Sequence, residues 1–215
     1  MKIKNVEKLI DLIDKDKAWR IKELIDIKSM VHSTKNPLLC RVGIAMLSAH
    51  FEGLIKCIAN YYVVHVSSQH IKLSNLDTGF AAIHLKGVLN PCLSSKKLSV
   101  YKSSMDDFLT KYNSLTFNVN YSPDKPVIQT ESNPSSTVLR NIFNTIGIDF
   151  SIYETKINYI DTDLLSNRHD IVHGEKTYIS ISDFDSTFDA ITNLMEQFSN
   201  QVKDAAINKV YLKGS

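Results

Sequence analysis

The segment PLLCRVGIAMLSAHFEGLIKCIANYYVVHVS, from Pro37 to about Ser67, limits the fold more than any other part of the chain. Leu47, Phe51, Leu54, Ile58, Tyr62 and His65 form one stripe at helical spacing, and Val42, Ala45, Met46 and Ala49 widen it. An apolar surface that wide is buried only when neighbours cover several sides, so the segment reads as the central helix of a bundle. Asn36 followed by Pro37 is a good cap and first-turn pair for its start.

The flanking segments supply the neighbours. Residues 5–33 are amphipathic, with Val6, Leu9, Ile10, Ile13, Ile21, Leu24, Ile25 and Val31 at helical spacing. Shorter helices are predicted over 75–88 and 98–112. Between Ser114 and Ser136 the pattern weakens into alternating apolar residues and three prolines. A loop or small β-hairpin over 114–132 is expected there, as an excursion from the bundle. Helix resumes over 134–145, capped by Asn133 and stopped at Gly147, and again over 156–173, stopped at Gly174. A last helix opens at Ser182, and Phe184, Phe188, Ile191, Met195, Phe198, Val202 and Ala205 step along it by threes and fours. The expected fold is all-α, a single helical domain over 1–215 with its bundle core at 37–205.

At 215 residues the chain can bury a substantial core, and its net charge of +2 neither demands nor excludes a polyanionic partner. The three cysteines have no CxxC spacing, as expected of a reducing cytoplasm. The charged N-terminal stretch lacks a signal-peptide core, and no uninterrupted apolar run approaches membrane-spanning length. A cytoplasmic protein without a membrane partner is the expectation.

Chemistry gathers in RHDIVHG, residues 168–174. His169 and His173, at i and i+4, match the histidine pair of a zinc-protease helix, with Asp170 in place of the glutamate. That parse needs a third ligand, and Glu175 beyond the helix-ending glycine is poorly placed to be one. His169-Asp170 could instead be the dyad of a metal phosphohydrolase, although no second ligand motif stands elsewhere. The third parse pairs Arg168 with His173. Metal-free RNA cleavage needs a base for the 2′-hydroxyl proton, an acid for the leaving 5′-oxygen and a cation beside the phosphorus. Histidine suits either proton role, and arginine grips two phosphate oxygens at once. Five residues turn a helix by roughly 140°, so the two do not simply stack. On spacing alone all three parses stay open. So does a fourth, in which Arg168 and His169 are a solvated face and His173 sits favourably at a helix C-terminus.

The surroundings add a resemblance. RHDIVHG, preceded by an amphipathic helix and followed by a short linker and a long helix, resembles the end of a HEPN (higher eukaryotes and prokaryotes nucleotide-binding) domain, whose ribonuclease members carry R-x4-6-H. AMLSAHFEGLIKCIANYY (45–62) and TESNPSSTVLRNIFNTIGI (130–148) are similar to segments of the MAE-like branch of HEPN-like nucleases. The resemblance implies a helical bundle and a metal-independent endoribonuclease that uses no cofactor. It implies a toxin or antiphage-defence effector, a homodimer with a composite site, an RNA substrate and an antitoxin or defence-system partner protein. It makes Arg168 and His173 catalytic, with His169 and Asp170 supporting. The alternative is a catalytically silent HEPN module for dimerisation, nucleotide binding or partner regulation.

Other residues carry smaller expectations. Glu52, on the central helix, could orient Arg168 or His173, or make a structural hydrogen bond inside the bundle. Lys96, Lys97 and Lys102 could track phosphates, and Tyr61, Tyr62, Tyr121 and Tyr153 could stack bases.

Overall fold

The structure, a computed structural model, describes residues 1–175 and 178–214. Helix α1 (Val6–Thr34) opens where the Asn5 side chain accepts from the Lys8 N–H, and ends at Lys35, which takes a left-handed φ of 51°. Two residues later α2 (Pro37–Ser67) begins as its sequence indicates, with Asn36 accepting from the Leu38 N–H. Then follow α3 (Thr78–Leu89), α4 (Leu98–Lys111), α5 (Ser136–Ile146), α6 (Asn167–Val172) and α7 (Ile181–Ile207).

α1, α2 and α7 pack along one another as the main layer, with α2 in the middle. Leu47, Phe51, Leu54, Ile55, Ile58, Tyr62 and Val63 of α2 are all fully buried, which explains the breadth of its apolar surface. By length and composition α2 could cross a membrane, but that surface is taken up by α1 and α7. Close approach is obligatory at Gly43, where an added Cβ would sit 2.5 Å from the Phe184 ring of α7.

A second cluster ties α5 to α7. Phe143 stacks on Phe198 with ring centroids 4.8 Å apart, and Phe150 and Tyr153 pack around it. Burying each such ring contributes about 1.5–3 kcal/mol. A third joins Tyr62 to Phe80 of α3 and Phe117 of the loop beyond α4.

The expected excursion is a loop. Among the described residues it makes only isolated bridges, Lys72 with Thr116 and Ser122 with Lys125, and no strand. It is held instead by buried anchors: Phe117 enters the core, and the Asn60 amide receives Val127 and Ile128 N–H groups while donating to the Ile128 carbonyl. Three helix starts differ from expectation: α3 begins at Thr78 rather than 75, behind an Asp77 cap. α5 is capped by the Ser135 hydroxyl rather than Asn133, and α7 by the Ser180 hydroxyl, which accepts from the Asp183 N–H.

Candidate active site around the RHDIVHG helix

The stretch expected as one helix over 156–173 winds three ways. Ser151–Lys156 is a 3-10 turn, Tyr159–Ser166 is a π-helix, and Asn167–Val172 is an α-helix. The π-helix buries Ile160, Leu164 and Leu165 against the bundle. Its wider winding keeps that apolar side inward while α6 emerges with no fully buried residue. Ile171 is half-buried against the core, whereas Val172 is 59% exposed.

α6 ends in a complete Schellman turn. The Gly174 N–H donates to the Ile171 carbonyl and the Glu175 N–H to the Asp170 carbonyl, with Gly174 at φ 79°. The carbonyl of Glu175 then accepts from Arg41 Nη2 at 3.0 Å, which pins the exit of the motif to the first turns of α2. Residues 176 and 177 lie outside the described residues.

This geometry sorts the motif. His173 occupies the C-cap, and its ring lies one turn beyond that of His169, with centroids 4.3 Å apart and planes tilted by 51°. Both imidazoles are exposed. Arg168 lines an open depression of about 390 Å³ together with His169, Asn133, Ser135, Asp161 and Leu165, whereas His173 does not line it. His169 therefore bridges the two: it lines the depression with Arg168 and touches His173.

Three of the four arginines are committed within the fold. Arg20 pairs with Asp16, Arg140 with Glu154, and Arg41 with the Glu175 carbonyl. Arg168 alone has no hydrogen-bond or ion-pair partner among the described residues. The Asp170 carboxylate likewise has none, so this residue holds the helix end through its backbone.

Glu52 is placed differently from its candidate role. Its carboxylate accepts from the Thr130 hydroxyl at 2.7 Å, the structural bond that was one of the two options. Tyr62 and Tyr153 are fully buried and unable to stack a base, and Lys102 is paired with Asp106. Among the described residues no group of three or more His, Cys, Asp or Glu side chains is arranged to hold a metal ion, so the two metal parses lack a ligand set there.

The residue that pattern reading passed over is Asp161, on the π-helix. Its carboxylate accepts from the Ser136 N–H at 2.8 Å and the Ser136 hydroxyl at 2.5 Å. This clasp seats the start of α5 against the π-helix that leads into the motif, and both Asp161 and the neighbouring Ser135 line the depression. The capping shift from Asn133 to Ser135 also leaves Asn133 on the depression's rim.

A family model described as RiboL-PSP-HEPN matches residues 15–204 of the chain. No curated protein and no solved structure matches it. The match supports the superfamily and lends nothing to the finer MAE-like placement of residues 45–62 and 130–148.

Proposed function

The chain belongs to the RiboL-PSP-HEPN family, of nuclease-like or nucleotide-binding helical modules, and from that premise we propose that it is a metal-independent endoribonuclease. The observation that carries the proposal is Arg168. It is an arginine with no side-chain partner among the described residues, beside an open depression lined also by His169, whose ring touches His173. A guanidinium left unpaired by the described residues is available to two phosphate oxygens.

In the proposed reaction the ribose 2′-oxygen bonds to phosphorus as the bond to the 5′-oxygen breaks. One histidine takes the 2′-hydroxyl proton and another delivers a proton to the leaving oxygen. A 2′,3′-cyclic phosphate and a 5′-hydroxyl result. Arg168 neutralises the charge that develops on the phosphoryl oxygens. His173 is the proton-transfer group, and His169 positions it or supplies the second imidazole.

The proposed working form is a homodimer with a composite site. Val172 within the motif and Tyr178 just beyond it are 59% and 78% exposed, and Leu38 and Val42 are exposed on either side of Arg41. Covering such side chains with a second copy would bring two motifs together. A toxin or antiphage-defence role, with an antitoxin or defence-system partner, belongs to the same proposal.

The test is RNA cleavage by the purified chain in excess EDTA. EDTA-resistant cleavage leaving cyclic phosphate ends is expected, and His173→Ala should reduce it by about 10²–10⁴-fold without loss of the folded state. Cleavage abolished by EDTA and restored by zinc or manganese would overturn the metal-free reading. Dimerisation without any cleavage would favour the silent module.

A further inference from the structure

At the opposite end of α2 from the motif lies a larger groove, of about 800 Å³. Its walls are the extended N-terminal residues, the end of α2 and the loop over 116–125. Roughly 40 Å of helix, at about 1.5 Å per residue, separates Arg41 from Ser67, so the groove is no part of the depression beside Arg168.

The walls are held by specific bonds. The Ser67 hydroxyl accepts from the Val119 N–H and donates to the Asn118 side chain, and the Ile3 N–H donates to the Ser68 hydroxyl. His65 Nδ1 lies 3.1 Å from the Ile3 carbonyl, and the Gln69 amide donates to the Lys4 carbonyl. Residues 2–4 thus run along α2 with their backbone fixed and their lysine side chains outward.

The charge on these walls has one sign. Lys2, Lys4 and Lys125 line the groove together with His70, and no aspartate or glutamate does. None of the three lysines has an ion-pair partner among the described residues, whereas Lys15, Lys17, Lys28, Lys102, Lys111 and Lys203 are all paired elsewhere. The C-terminal end of α2 contributes about half a negative charge, which three ammonium groups outweigh. Tyr121 adds a half-exposed aromatic ring, and Asn120, Thr116 and Ser122 add polar groups.

Clustered cations beside an aromatic ring, with amides and hydroxyls around them, are the fittings of a single-stranded nucleic-acid site. We propose that this groove binds a single-stranded stretch of RNA remote from the scissile bond, an inference that rests on the ribonuclease reading of the motif. The lysines take backbone phosphates, and Tyr121 stacks one base. Stacking on Tyr121 takes an unpaired base, so single strands are preferred over a duplex. An RNA long enough to reach from the motif to the groove is held at two places, and a short one at the motif only.

The test is RNA binding as a function of salt by the full chain carrying His173→Ala, with and without Lys2→Ala, Lys4→Ala and Lys125→Ala together. At about 0.7 per phosphate for single strands, the triple substitution should lower the slope of log affinity against log salt by about 2. Affinity for long unstructured RNA at low salt should fall by about tenfold or more. Tyr121→Phe should retain binding and Tyr121→Leu lose about tenfold. With His173 intact, the triple variant should cut short RNA normally and long RNA with a raised KM. An unchanged slope and affinity in a folded triple variant would overturn the proposal. So would lysine-dependent binding of AMP with lysine-independent binding of RNA. Should the unsubstituted chain cut no RNA while binding stays lysine-dependent, the ribonuclease reading fails and the groove stands. Should it cut RNA while the triple variant binds unchanged, the groove alone falls.

Discussion

Gly174 sets where His173 sits. Its φ of 79° lets the chain turn back so that the Glu175 N–H reaches the Asp170 carbonyl, and the imidazole at the C-cap is left over His169. An added Cβ would meet nothing within 4 Å, so the cost of a substitution is conformational rather than steric. Gly174→Ala should destabilise the protein by about 1 kcal/mol in urea unfolding. It should lower RNA cleavage more than that loss of stability explains, by displacing the imidazole; full activity would detach the turn from the chemistry. At this scale the motif was legible, because Arg168, His169, His173 and the stopping glycine are neighbours in sequence. Glu52 was less so: its position on the central helix announced a partner, but Thr130 lies 78 residues away, and nothing local distinguishes it from Arg168 or His173.

Among the elements, the apolar stripes of α1, α2 and α7, with the Asn36 cap of α2, made those helices readable close to their ends. The break-up of 156–173 was not readable. Ile157, Ile160, Leu164 and Leu165 satisfy a helical pattern, and such a pattern does not reveal whether a hydrogen bond spans four residues or five. The Asp161–Ser136 clasp escaped for a different reason, being a contact across 25 residues between two elements that each look complete alone. It provides the start of α5 with two acceptor contacts on a charged oxygen pair. Asp161→Ala should cost about 1.5–3 kcal/mol in chemical denaturation. RNA cleavage should fall with it, since Asp161 lines the depression together with Arg168. A variant as stable as the parent would show the clasp to be dispensable.

For the whole molecule, acid weakens the fold through three histidines. Burial pushes His65 and His84 below the ordinary histidine value of 6.5. His50 is also lowered, chiefly by burial and then by Arg20, with Glu23 opposing. His50 Nε2 lies 3.0 Å from a Glu23 oxygen but out of line for a hydrogen bond, and His65 Nε2 is buried with no hydrogen-bond partner among the described residues. Each ring is thus held neutral in the folded chain and takes up its proton more readily when unfolded. The unfolded state binds more protons below 6.5, so stability is full above that value and declines as pH falls towards the folded-state values. Thermal melting should decline progressively on acidification below 6.5, and His65→Gln, which can still donate to the Ile3 carbonyl, should flatten that decline. A melting temperature indifferent to acid over this window would contradict the assignment.

The π-helix before the motif has a consequence for sequence length. A segment wound with five-residue hydrogen bonds holds more chain along its axis than an α-helix would. Loss of one residue between Tyr159 and Ser166 could therefore be absorbed by rewinding, with the segments on either side still facing as they do. Loss of one residue within Asn167–Val172 has no such reserve and would swing the imidazole pair out of line. Two adjacent stretches of the same rod thus differ in their tolerance of deletion, and the boundary between them falls one residue before Arg168.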